Sequence, residues 1–149
     1  MSSADAHRQV SVSRVIPATP EAIFEVLASP AGHAAIDGSG TVKAAAQGPA
    51  RLHAGATFGM KMRMGLPYRI KNTVVAFEEG RTIAWRHLGG HVWRYDLEPV
   101  EGGTKVTETF DWSRARSPKG IELMGYPRKH PVAMAETLER LERHVTGRP

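Results

Sequence analysis

The chain contains no cysteine. That excludes disulfides, thiolate metal sites and thiol nucleophiles together, and it fits a reducing compartment. No stretch nears the roughly 18 uninterrupted apolar residues of a membrane-spanning helix. The opening residues, Met1 to Gln9, are polar and lack the apolar block of a signal peptide, so the expected location is the cytoplasm. A nucleotide-cradling glycine loop and a G-x-S-x-G elbow are absent, and Gly38-Ser39-Gly40 is too short for a dinucleotide fingerprint. No repeat, low-complexity tract or linker divides the 149 residues, so one domain spanning 1–149 is expected, large enough to bury a core. Carboxylates are in the minority, 15 against 20 Lys and Arg. The net charge of +5 and the pI near 9.9 favour anionic partners in general: acidic ligands, membrane surfaces or nucleic acid.

What is present is periodic. From Pro131 to Val145 an apolar stripe recurs at Met134, Leu138, Leu141 and Val145, which predicts an amphipathic helix. Pro131 suits its first turn and Gly147 its stop, with Glu136–Arg140 and Glu139–Arg143 spaced for mutual support. Near the other terminus, Gln9 to Ile16 reads as a strand whose face is ambiguous. Thr19-Pro20-Glu21 starts a helix with Ile23, Phe24 and Leu27 on its buried side, and Ser29-Pro30 starts a shorter one through Ile36. Asp37 to Gly40 breaks the chain, and Thr41 to Ala46 is a weak strand.

From Ala56 onward the sequence alternates. Phe58, Met60, Met62 and Met64 share one side of a strand, followed after Gly65-Leu66-Pro67 by Tyr68, Ile70, Asn72, Val74 and Ala76. Ile83, Trp85 and His87 continue that side, then His91, Trp93, Tyr95 and Leu97, then Val106, Glu108, Phe110 and Trp112. A three-residue turn at Gly65–Pro67 opposes Met62 with Ile70, and a two-residue turn at Glu79-Gly80 opposes Val74 with Trp85 and Asn72 with His87. A three-residue loop at Leu88–Gly90 opposes Trp85 with Trp93. The last hairpin, if it opposes Leu97 with Val106, sets Tyr95 against Glu108. Arg114 to His130 reads as a basic connection holding one helical turn around Ile121 to Met124. An α+β architecture follows, in which an antiparallel meander and the terminal helix bury each other's apolar faces.

The order of elements, together with Val12 to Phe24 (VSRVIPATPEAIF), Ile36 to Gly40 (IDGSG), Ile83 to Arg86 (IAWR), Trp93 to Pro99 (WRYDLEP) and Gly103 to Phe110 (GTKVTETF), resembles the SRPBCC superfamily. The likeness is to its polyketide cyclase/dehydrase and lipid-transport branch and covers nearly the whole chain. It implies the START-like helix-grip fold: a curved antiparallel sheet of about seven strands wrapped on a long C-terminal helix, with two short helices after the first strand. Such sequences usually place Asp before the proline of the second short helix, where this chain has Ser29. The superfamily shares no catalytic motif, and its members range from cyclases to ligand carriers.

A curved sheet closing on one helix leaves room between them, and the wall expected there is Phe58, Met60, Met62, Met64, Tyr68, Asn72, Trp85, Trp93, Phe110 and Trp112, with Met134 and Leu138 from the helix. Large apolar walls with a few polar groups suit a small hydrophobic ligand, and methionines adapt to irregular shapes. The plain alternative is a solid core. Asn72, His87, Tyr95 and Glu108 are the polar exceptions on this face. Burying any of them unpartnered costs about 1–3 kcal/mol, and more for a charge. Glu108, between Val106 and Phe110, is expected to have its pKa raised by desolvation. It is the candidate general base, with Tyr95 or His87 as acid or hydrogen-bond donor; equally, the four polar groups can satisfy one another. His87 and His91 flank a Gly-Gly loop, but a third metal ligand would have to be borrowed from His53 or His33, so no metal and no cofactor is expected.

Outward, Lys61, Arg63, Arg69, Lys71, Arg86, Arg94 and Lys105 form a basic stripe. It is read first as a solvated face, with peripheral contact to an anionic membrane as the functional alternative. Stacking aromatics are missing from that face, which argues against nucleic acid. The expected function is binding or transport of a lipid- or polyketide-like ligand between sheet and helix. The alternative is a cyclase, aromatase or dehydratase using Glu108, Tyr95 and His87.

Overall fold

The computed structural model describes residues 8–38 and 42–147, and for 42–47, Met64, Arg69 and Tyr126 the backbone alone. Its elements are β1 (Gln9–Ile16), α1 (Pro20–Leu27), α2 (Pro30–Ile36), β2 (Val42–Gln47), β3 (Thr57–Met64), β4 (Leu66–Glu78), β5 (Thr82–His87), β6 (Val92–Val100), β7 (Gly103–Asp111), α3 (Pro118–Leu123) and α4 (Tyr126–Thr146). The strands form one antiparallel sheet in the order β1-β7-β6-β5-β4-β3-β2, curled into a half-barrel around α4. This is the helix-grip arrangement.

Local chemistry accounts for most boundaries. Thr19 Oγ1 caps α1 by accepting the Ala22 N–H at 3.2 Å, and Ser29 Oγ caps α2 through the Gly32 N–H at 3.2 Å. In β1 the ambiguity is resolved: Val10, Val12 and Ile16 face inward, while Val15 is exposed. Arg14 lies on the inner side at the sheet's edge and reaches Glu142 of α4 at 3.2 Å. Met134, Leu138 and Leu141 are buried as the stripe requires. The Glu136–Arg140 pair forms at 3.2 Å, but Arg143 turns to Glu136 rather than to Glu139. Glu139 instead lies 4.0 Å from Arg14, so the sheet edge competes successfully for it.

The terminal helix begins at Tyr126, not Pro131. Gly125, at φ 78°, precedes it, Pro127 takes the early position that tolerates a missing N–H, and Pro131 sits inside the second turn. Residues 126–130 of the expected basic connection are therefore part of this helix, which brings His130 over the sheet.

Two turns differ from expectation while the faces survive. Gly65, at φ 79°, reverses the chain so tightly that Met64 opposes Leu66, Met62 opposes Tyr68 and Met60 opposes Ile70. This is a slip of two residues, and the period of two keeps every side chain on its face. At the next hairpin Glu78 opposes Thr82, so the turn is one residue longer than expected. A bulge at Val75 absorbs the extra residue, restoring Val74 against Trp85 and Asn72 against His87. Beyond the bulge Phe77, rather than Ala76, packs on the core, edge-on to Phe24 with ring centroids 5.4 Å apart. The other two registers are as read: Trp85 opposes Trp93 and Tyr95 opposes Glu108. Of the weak second strand, Thr41 lies outside the described residues.

Candidate functional site

The register sets three rows across the inner face of the sheet. Phe58, Asn72 and His87 form the first; Val74, Trp85, Trp93, Phe110 and Val10 the second; Phe77, Ile83, Tyr95, Glu108 and Val12 the third. Indoles therefore separate two polar positions. Asn72 is buried at one side, and its side-chain Oδ1 has no hydrogen-bond partner; Glu108 is buried at the other, and its Oε1 has none.

Burial pushes the Glu108 carboxyl up to about 8. The Tyr95 hydroxyl hydrogen-bonds it and pulls the other way, and the charge of Asp37 adds to the rise. At neutral pH Glu108 is mostly protonated. One oxygen then accepts from Tyr95 while the unpartnered one is free to donate. Tyr95 itself is raised well above the ordinary phenol value, by burial first and then by Glu108 and Asp37. Asp37 ends α2 at a place where the chain crosses α4 closely. The Gly38 N–H donates to Thr137 Oγ1 at 2.9 Å, and a Cβ at residue 38 would stand 2.6 Å from the Ala133 carbonyl oxygen.

His87 is not beside Glu108. It stacks on His91 with centroids 4.4 Å apart, and the Gly89 N–H donates to its Nδ1 at 3.0 Å, which leaves its ring proton on Nε2. His91 and His130 meet the Phe110 ring at 5.5 and 4.5 Å, and His130 also meets Trp93 at 5.1 Å. Burial lowers all three imidazoles, His91 and His130 to about 4. Among the described residues no group of three or more His, Asp or Glu is arranged to hold a metal ion. A further imidazole, His33 of α2, stacks on Trp85 at 4.5 Å and bonds the Leu27 carbonyl through Nε2 at 2.6 Å; burial lowers it to about 4.

Of the expected wall, Phe58, Met60, Asn72, Trp85, Phe110, Trp112, Met134 and Leu138 are buried, and Met62 and Trp93 are half-buried. Tyr68 is exposed, because the tight Gly65 turn carries it toward the hairpin tip. The Met64 side chain lies outside the described residues. The sequence offered His33 only as a borrowed metal ligand, and Asp37 and His130 not as site residues at all. His33 sits in an alanine-rich segment with no periodic signal, Asp37 looked like a helix breaker, and His130 lay in the presumed connection.

The model of the family described as polyketide cyclase / dehydrase and lipid transport matches residues 7–146. The chain belongs to this family. The uncharacterized protein Rv0088 of Mycobacterium tuberculosis is 35% identical over 147 residues, covering 94% of this chain. The chain spans 66% of that relative's length. Among solved structures, protein NE0264 of Nitrosomonas europaea superposes with a TM-score of 0.74 at 14% identity, covering 96% of this chain and 97% of that one. The di-domain ARO/CYC StfQ from the steffimycin biosynthetic pathway superposes with a TM-score of 0.72 at 11% identity over 95% of this chain and 51% of its own. At those identities the likeness is one of fold. No helix among the described residues is long and apolar enough to cross a membrane.

Proposed function

We propose that this protein binds a small, flat, hydrophobic ligand carrying a carbonyl group, held between the inner face of the sheet and α4. The observation behind this reading is the unpartnered Oε1 of Glu108. A protonated carboxyl, buried between Tyr95 and Val12 on neighbouring strands, lacks one acceptor, and a ligand carbonyl supplies it. Trp93 offers a half-buried indole and Met60 and Met62 adaptable walls, while Asn72 Oδ1 can accept from a hydroxyl at the ligand's far end; Trp85 is itself stacked by His33 and Tyr95.

A second reading is favoured by the proton itself. A carboxylic acid kept neutral at pH 7 can protonate a carbonyl oxygen as well as bind it, so a cyclase- or dehydratase-type reaction with Glu108 as acid and Tyr95 beside it is the alternative. His87, in another row, would act on a different part of the substrate.

A fluorescent naphthyl ketone such as 2-acetyl-6-dimethylaminonaphthalene tests the binding reading. Its emission should shift to the blue on titration with protein, and Glu108→Leu should weaken binding about tenfold, a hydrogen bond's worth. Glu108→Gln, which still donates, should bind nearly as wild type. Equal affinity for the analogue with ethyl in place of acetyl would contradict it. In the enzymatic alternative, Glu108→Gln keeps the probe but abolishes dehydration of a β-hydroxy aryl ketone.

A further inference from the structure

Charge in this chain is sorted along the strand direction. The ends of β5 and β7, the start of β6, helix α3 and the first turn of α4 lie at one end of the sheet, and the β3–β4 turn projects six residues further in the same direction. There Arg86, Arg114, Arg116, Lys119, Arg128 and Lys129 are exposed. None of them forms an ion pair among the described residues. The carboxylates nearby are engaged elsewhere. Glu122 accepts from Arg8 Nε at 3.0 Å and Trp112 Nε1 at 2.9 Å, and Asp111 accepts from Gln9 and Ser113. The opposite end carries exposed Glu78, Glu79, Glu98 and Glu101 together with Arg81 and Lys105, and there Arg51 bridges Glu25 and Glu79.

Large apolar side chains stand among those cations. Leu66 is 79% exposed at the β3–β4 turn, Leu88 68% at the β5–β6 turn, and Leu123 and Met124 91% and 57% at the close of α3. The Arg116 N–H donates to the Gly89 carbonyl at 2.8 Å, which sets the segment leading into α3 beside the Leu88 turn. A single exposed leucine is ordinary. Leu88, Leu123 and Met124 stand on adjoining segments among cations that form no ion pair among the described residues, although Lys119 acts on Glu122, and together they form a surface with two matched demands.

We propose that this end of the molecule docks on an anionic lipid bilayer, with the cations against lipid phosphates and Leu88, Leu123 and Met124 entering the interface. The apolar groups are separate tips rather than one flat patch, which suits insertion between headgroups better than the continuous core of a protein interface. Among the described residues Tyr68, on the β3–β4 hairpin, is the exposed ring near them, short of the successive stacking rings a single-stranded nucleic acid uses, which disfavours a nucleic acid. The docking surface does not depend on the ligand reading, since none of its residues lines the inner face.

The test is co-sedimentation of the full chain with vesicles of phosphatidylcholine alone and with an equal share of phosphatidylglycerol, at low and at physiological salt. Binding is expected to the anionic vesicles and to weaken with salt. Leu123→Ser with Met124→Ser should reduce it about tenfold by removing buried apolar area, and Arg128→Glu with Lys129→Glu by at least as much. Lys105→Glu, at the far end, should leave it unchanged. All these positions are exposed, and unchanged thermal melts verify the fold. Failure to bind anionic vesicles at low salt overturns the proposal. So does binding that ignores the apolar pair, or that Lys105→Glu weakens equally. Tighter binding to a single-stranded oligonucleotide, untouched by the apolar pair, overturns it in favour of nucleic acid.

Discussion

Glu108 costs stability in the state where most carboxylates contribute it. Its folded pKa of about 8 lies above the ordinary carboxylate value of 4.5, so between those limits the folded chain holds a proton that the unfolded chain has released. Stability from this group is complete below pH 4.5 and falls as pH rises through 8, by up to about 5 kcal/mol. The histidines act in the other direction. His33, His91 and His130, lowered to about 4, stay neutral while the unfolded chain binds protons below 6.5, so their effect is a loss of stability as pH falls from 6.5 toward 4. Thermal midpoints across pH 4 to 9 should therefore pass through a maximum, and Glu108→Gln should flatten the alkaline side and steepen the rise between pH 4.5 and 6.5, where Glu108 opposes the histidines. A variant whose alkaline limb still falls like the wild type's would show that Glu108 is not the group responsible. The alternation made Glu108 legible in the sequence as a polar residue on an apolar face. Its coupling to Asp37 was not, because that depends on how closely two helices cross.

That crossing belongs to the scale of elements. Gly38 lets α2 end against α4, with Ala133 and Thr137 at contact distance. Gly38→Ala places a methyl group 2.6 Å from backbone atoms that cannot give way cheaply. A loss of about 1–3 kcal/mol in urea unfolding is expected, with Glu108 titrating lower as Asp37 moves away. An unchanged stability would mean that the two helices are not held in contact there. Strand faces were readable because a two-residue slip at Gly65 and a bulge at Val75 both preserve or restore parity. Turn lengths were not, since φ 79° at Gly65 and the extra residue at Arg81 leave no mark on the apolar pattern. The start of α4 was hidden for a related reason: Pro131 resembles a first-turn residue, and the earlier Pro127 fills that role instead.

For the whole molecule, sheet, helix and interior serve a single arrangement. Seven strands curl so that aromatic rows face α4, and exposed cations that form no ion pair among the described residues stand beside Leu88 and Leu123 at one end. The resemblance found in the sequence is matched by the family to which the chain belongs, and the fold follows from it. The family match carries the fold and not the identity of a ligand. The central claim is that a guest completes what Glu108 lacks. Native mass spectrometry of freshly purified protein tests it most directly: the account predicts a non-covalent small-molecule adduct that Glu108→Leu loses, and the bare chain mass alone, under conditions gentle enough to retain the naphthyl ketone, would contradict it.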